Sequence, residues 1–373
     1  MYIEIDDSIA DILSHWMNDH NSVRDDILTN IDDILTSSEK TLRDGTHCVK
    51  TKTRQCAKII SLYAKEKLTP KISNVFSSMY SKYSTYLGDL KKQLEMYVSI
   101  GDWTEKIRKD GSIVYINIAF AARQEFWNRP YFMPENIDDD KYISWIVDYT
   151  KKDRTVYKDI KYTYETAHGG GTTALDVFVK KIKEDRFIFA LIDSDKKSES
   201  GQFGKTAQKF EAKKNEFTAY PNGMYYILQV HEIENLFSST PFLKLAKSNT
   251  KTVYLLDQAS DDVRRFFDIK KGYTYRSYSN NNYISDKIRC DATPCENHKI
   301  EGKCSSEKQC GKIVIEGWGS DYLKKLFTDE NIHKDDFLSA PEKLDAEIRK
   351  EWEIITKKFL TFFCALPYKI STS

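Results

Sequence analysis

Between residues 156 and 230 strand-like and helix-like segments alternate, and this alternation constrains the fold more than any other feature of the chain. VYKDIKYTYE (156–165) reads as a strand and meets a glycine-rich turn, HGGGTT (168–173). ALDVFVKKIKED (174–185) follows, with Leu175, Phe178, Val179 and Ile182 on one helical face. RFIFALID (186–193) is a continuous apolar run of strand length, as a strand buried on both faces requires. A lysine-rich helix over 204–216 then leads to a third strand, MYYILQV (224–230). Strands separated by helices of this length imply a parallel sheet. The expected class is α/β, with a mostly parallel sheet flanked by helices.

The first hundred residues carry a helical period instead. Ile9, Ile12, Leu13 and Trp16 share a face, and Val23, Ile27, Ile31 and Ile34 recur every three or four positions. A longer apolar stripe runs from Ile72 to Leu94, with Thr69-Pro70 as cap and first-turn proline. GSIVYINIAF (111–120) alternates and reads as a short strand after the Asp110-Gly111 turn. PENIDDDK (134–141) reads as a polar acidic loop. These textures divide the chain into a mostly helical region over 1–150, an α/β domain over 151–340 and a C-terminal helix in 341–373.

Charge gives no whole-chain reason to expect nucleic acid: 57 Lys and Arg stand against 56 Asp and Glu. The balance is an average over separated populations. Residues 1–34 hold nine acids and one base, and residues 40–71 hold nine bases and two acids. Those two segments could pair with each other, or the basic one could face an anionic partner. No apolar run approaches the length of a membrane span, and the mixed acidic start does not resemble a signal peptide, so a cytoplasmic chain is expected.

In a parallel α/β sheet, ligands bind beyond the carboxyl ends of the strands. The sequence places acids there three times: Glu165 after the first strand, Asp193 and Asp195 after the second, and Glu232 and Glu234 after the third. Each piece has a plain structural reading as a cap or a solvated loop. Converging carboxylates repel one another and resist burial, so folding alone gives no reason to gather them. A divalent cation removes the conflict, and hard oxygen ligands suit Mg²⁺ or Mn²⁺.

Strand-Glu165, a glycine-rich loop and helix, and then strand-Asp193-Ser194-Asp195 resemble the Toprim domain of topoisomerases, primases and OLD-family nucleases. HEIENLF (231–237) is similar to the "IEN" segment of OLD-type Toprim effectors of bacterial anti-phage defence. The resemblance covers 156–240 and matches Glu165, Asp193, Asp195 and Glu234 to the family's carboxylates, with Glu232 as second choice for the last. In the family the glutamate directly precedes a glycine, whereas here Thr166-Ala167-His168 intervene. The resemblance implies a Mg²⁺- or Mn²⁺-dependent nuclease acting on DNA or RNA. No GxxxxGK[ST] occurs, so the ATPase of OLD proteins would come from a partner, and a homo-oligomer or hetero-complex is expected. Two alternatives are a ribonuclease acting on structured RNA such as tRNA, and a non-catalytic Toprim-like binding or scaffold subunit.

Lys205, Lys209 and Lys213 are spaced four apart, with Lys214 beside them. They form either a stripe tracking a nucleic-acid backbone or an ordinary solvated helix face. His168 and His231 are candidates for proton transfer or for structural roles. Glu316, Asp321 and Lys324 approach the site only if the strand at 312–316 joins the sheet. Cys290, Cys295, Cys304 and Cys310 fall in a polar segment, 286–312. Structural zinc, disulfides and free thiols all remain readings of that cluster.

Overall fold

The computed structural model describes residues 1–85, 87, 89–136, 139–154, 157–237, 252, 260–288, 310–319 and 344–366. The chain is a mixed α/β protein with parallel sheets flanked by helices.

The N-terminal part holds helices Asp7–Asn18, Asp25–Asp44, Arg54–Lys67 and Pro70–Ser81, but the apolar stripe read from Ile72 to Leu94 is not one helix: it stops at Ser81, and Leu90–Gln93 forms a separate short helix. Thr53 and Thr69 cap the Arg54–Lys67 and Pro70–Ser81 helices through their side chains, and Pro70 occupies the first turn. These helices surround a sheet that sequence periodicity does not reveal. Its strands are β1 (Tyr2–Ile5), β2 (Cys48–Thr51), β3 (Tyr97–Gly101), β4 (Ile107–Asp110) and β5 (Ile113–Asn117). The order is β2-β1-β3-β5-β4, parallel except for the β4–β5 hairpin. Only β5 lies in the window read as a strand; the others span four or five residues, too few to show a period. The acidic and basic segments do meet each other. Lys52 Nζ lies 3.0 Å from Asp6 Oδ2 across this sheet's edge.

The second sheet is built from β6 (Tyr131–Met133), β8 (Glu165–Thr166), β9 (Ile188–Ile192) and β10 (Gly223–Ile227), in the order β10-β9-β6-β8 and all parallel. β9 explains the arrangement. Phe189 and Leu191 point into the core shared with the N-terminal part and the C-terminal helix Ala346–Phe363. Ile188, Ala190 and Ile192 point to the other face, against Phe178 of the Ala174–Lys183 helix and Phe210 of the Lys205–Ala212 helix. Burying each large apolar side chain contributes about 1.5–3 kcal/mol, so a continuous apolar run is stable only with both faces covered.

Three expectations change. The segment 156–165 is not one strand: β7 (Lys161–Tyr162) pairs antiparallel with β13 (Cys364–Ala365), and β8 alone joins the sheet. The sheet begins earlier, at β6, and the boundary expected near residue 150 lies inside the Asp139–Asp153 helix, which leads from β6 toward β8. Finally, β12 (Ile313–Glu316) pairs with β11 (Gly272–Thr274) in a separate ribbon, so Glu316 is not brought to the second sheet; Asp321 and Lys324 lie outside the described residues. Gly272 adopts φ +62°, and a Cβ there would lie 2.2 Å from the Ile315 carbonyl oxygen, so the ribbon requires glycine. No described helix is long and apolar enough to cross a membrane.

Candidate functional site

Parallel strands deliver their carboxyl ends to one edge of the sheet, and the acids gather there. Glu135 lies two residues beyond β6, Asp193 directly follows β9, and Glu232 and Glu234 lie beyond β10. Asp139 joins them from the first turn of the Asp139–Asp153 helix. Backbone amides lock the set together. Asp193 N–H donates to Glu135 Oε2 at 3.0 Å, and Ile233 N–H donates to Asp193 Oδ1 at 3.1 Å. Asn136 N–H donates to Asp139 Oδ2 at 2.9 Å. Asn235 fixes the IEN turn: its Oδ1 accepts from Glu232 N–H, and its Nδ2 donates to the Arg264 and Phe267 carbonyls.

Lys270, from the loop before β11, enters this cluster. Its Nζ lies 3.0 Å from Glu234 Oε1 and 3.3 Å from Glu232 Oε2. One ammonium does not offset five carboxylates. Burial pushes the Glu135 carboxyl up to about 7, with Asp195 and Asp139 adding to it. Burial likewise pushes Asp139 to about 6 and Glu234 to about 7 against the pull of Lys270. Asp193 rises well above the carboxylate range through burial and the charges of Asp139, Glu135 and Glu234. Burial would lower Lys270, but Glu234, Glu232 and Asp193 outweigh it and hold the ammonium above its ordinary value. Four of the five carboxyls are thus held above their ordinary values, with Lys270 offsetting only part of their charge.

A second group adjoins it. Ligand atoms of Asp195, His231 and Glu232 all lie within 4.8 Å of one another. His231 Nδ1 bonds the Lys196 carbonyl oxygen at 2.7 Å; a carbonyl only accepts, so Nδ1 carries hydrogen and Nε2 faces Glu232 and Asp268. Burial lowers the imidazole pKa, but Asp268 and Glu232 outweigh it and hold it above its ordinary value. Asp195 sits at φ +52°, with its N–H donating to the His231 carbonyl at 2.8 Å. Gly204 is packed against it so closely that a Cβ would lie 2.1 Å from Asp195 Oδ2. Glycine at 204 therefore makes room for this carboxylate.

Of the acids read from sequence, Asp193, Asp195, Glu232 and Glu234 come together and Glu165 does not. Glu165 opens β8 in register with Tyr131, which itself pairs with Ile188 at the start of β9. Five residues of strand, about 16 Å, separate that level from Asp193. Glu165 is exposed and lines a cleft of about 650 Å³ with Asp33, Lys40 and Arg129. Its place at the carboxyl edge of the sheet is taken by Glu135. The only hint of Glu135 in the sequence is the aromatic-apolar triplet YFM between Pro130 and Pro134, with the acid just past the second proline, and three residues are too few to show a strand period. Asp139 and Lys270 carried no comparable signal.

The lysine stripe is interrupted. The helix ends at Ala212; Lys213 Nζ lies 3.1 Å from Glu216 and Lys214 Nζ lies 3.8 Å from Glu211, while Lys205 and Lys209 remain exposed. His168 is exposed beyond β8. Of the cysteine cluster, Cys310 is buried, and Cys290, Cys295 and Cys304 lie outside the described residues.

No family model matches this chain, and no curated protein or solved structure matches it. The site is therefore read from its own chemistry.

Proposed function

We propose that the chain is a metal-dependent nuclease of the Toprim kind. The observation that carries this reading is the convergence of Glu135, Asp139, Asp193, Glu232 and Glu234 at the carboxyl edge of a parallel sheet, around Lys270. The donor set fits a hard divalent cation. It is all oxygen, burial drives Glu135, Asp139, Asp193 and Glu234 toward protonation, and Glu234 Oε2 is buried with no hydrogen-bond partner among the described residues. Glu135, Asp193, Asp195, Glu234 and Glu232 would hold Mg²⁺ or Mn²⁺, which when bound polarises a phosphodiester and lowers the pKa of an attacking water.

The chain's own residues supply the rest. Asp193 is oriented by two backbone contacts, one made by each side of the carboxylate-bearing residue, so its position is set before any ligand arrives. Lys270 offsets part of the carboxylate charge and presents an ammonium to phosphate oxygens. His231 Nε2 holds or releases a proton at the edge of the cluster. With Glu135 in place of Glu165, an acid still follows the strand beside β9, but β8 and the Ala174–Lys183 helix intervene before Asp193-Ser194-Asp195; the likeness to OLD-type defence effectors then rests on the Asp-Ser-Asp and Ile233-Glu234-Asn235 segments. A second reading, a non-catalytic Toprim-like subunit, is favoured by Lys270, whose ion pairs already place a cation among the acids.

Incubation of the purified chain with DNA and RNA, in Mg²⁺, Mn²⁺ or EDTA, separates the readings. Cleavage that needs metal and is lost in Asp193→Ala supports the nuclease. Metal-independent cleavage, or cleavage unchanged in Asp193→Ala, removes this site as the catalytic one. No cleavage of either substrate favours the binding subunit.

A further inference from the structure

A polar cleft of about 680 Å³ opens beside Asp195 and His231, walled by the 197–204 loop and by residues 268–277. A second cavity of about 550 Å³ shares Lys197, Thr274 and Ser277 with it and runs on to Arg276 and Asn280–Asn282. The two form one groove with a graded lining. Among the described residues its carboxylates are Asp195 and Asp268, both in the cavity nearest the acidic cluster. In the second cavity the lining turns cationic and amide-rich, through Lys197, Arg276 and Asn280–Asn282. Lys197 and Arg276 are exposed, and neither has a carboxylate partner among the described residues. Asn281 Nδ2 is buried without a hydrogen-bond partner.

We propose that this groove binds a single strand of nucleic acid, one phosphate at the acidic cluster and the following phosphates along Lys197 and Arg276. The proposal rests on the nuclease reading and names where its substrate lies. Unpaired cations beside side-chain amides match a backbone of repeating anions whose bases offer hydrogen-bond edges. Phe203 lines the same cleft, with Lys196 Nζ 4.7 Å from its ring centre, and offers a surface on which a base can stack. The Lys205–Lys209 helix face, singled out by sequence, lies outside this lining.

The test is binding of fluorescent single-stranded oligonucleotides, DNA and RNA, to the full chain in EDTA across a salt titration, read by anisotropy. Lys197→Gln/Arg276→Gln should weaken binding about tenfold or more and flatten the logarithmic salt slope by about 1.4, two phosphate contacts at about 0.7 each. Lys205→Gln/Lys209→Gln should change affinity less than twofold. Equal affinity in the groove variant, a larger loss in the helix variant, tighter binding of duplex than of single strand, or no binding by the unaltered chain overturns the proposal. Because the assay contains no metal and reads no cleavage, it fails separately from the nuclease reading, which Asp193→Ala tests.

Discussion

Lys270 Nζ, half-buried, and Glu234 Oε1, buried, form an ion pair 3.0 Å long in the acidic cluster. A lysine drawn into such a place answers the repulsion among carboxylates that the sheet edge imposes. Removing one member of a buried pair leaves an uncompensated charge, which typically costs about 3–5 kcal/mol. Lys270→Met should therefore lower stability by about that amount in urea denaturation with EDTA present. Adding Glu234→Gln to it should recover part of the loss. A loss under about 1 kcal/mol would show that Lys270 is peripheral.

The raised carboxyl pKa values fix a pH dependence. Glu135 and Glu234 titrate near 7 and Asp139 near 6 when folded, and carboxyls in an unfolded chain titrate at about 4. Between those values the folded chain holds protons that the unfolded chain has released. The stability from this source is complete below about pH 4 and is lost as pH rises to about 7. His231, also raised, acts in the same direction. In EDTA the melting temperature should fall by several degrees between pH 5 and pH 7.5. Mg²⁺ or Mn²⁺ should reverse most of that fall at pH 7.5 and little of it at pH 5. A melting temperature that rises over the interval without metal would contradict the account.

Gly204 leaves the space that Asp195 occupies, and an added Cβ would overlap that carboxylate. Gly204→Ala should displace Asp195, weaken Mn²⁺ binding measured by calorimetry by about tenfold or more, and leave far-ultraviolet circular dichroism unchanged. Unchanged Mn²⁺ affinity in a folded variant would remove Asp195 from the cation site.

How far the sequence reaches depends on element length. β9 was legible because five consecutive apolar residues can be satisfied only between two packed faces, and Asp193 follows from its end. β6 was not legible. Three residues show no period, and they become a strand only because β8 and β9 pair with them on either side. Missing β6 moved the start of the sheet by one unit and made Glu165 look like the first acid. Apart from β5, the N-terminal sheet was hidden for the same reason, its strands of four or five residues lying between strongly periodic helices. Lys270 is beyond any local pattern, since its partners Glu232 and Glu234 lie more than thirty residues earlier and the pairing exists only after folding.

The central claim is that Glu135, not Glu165, completes a metal-dependent phosphodiesterase site with Asp193 and Glu234. The most direct measurement is the initial rate of DNA and RNA cleavage in Mn²⁺ for Glu135→Gln and Glu165→Gln beside the unaltered chain. Loss of an inner ligand should exceed the 10–100-fold cost typical of outer-shell partners, so Glu135→Gln should fall by about a hundredfold or more. Glu165→Gln should stay within about twofold of the unaltered chain, as exposed residues remote from a site do. A collapse of activity in Glu165→Gln with Glu135→Gln fully active would contradict the account.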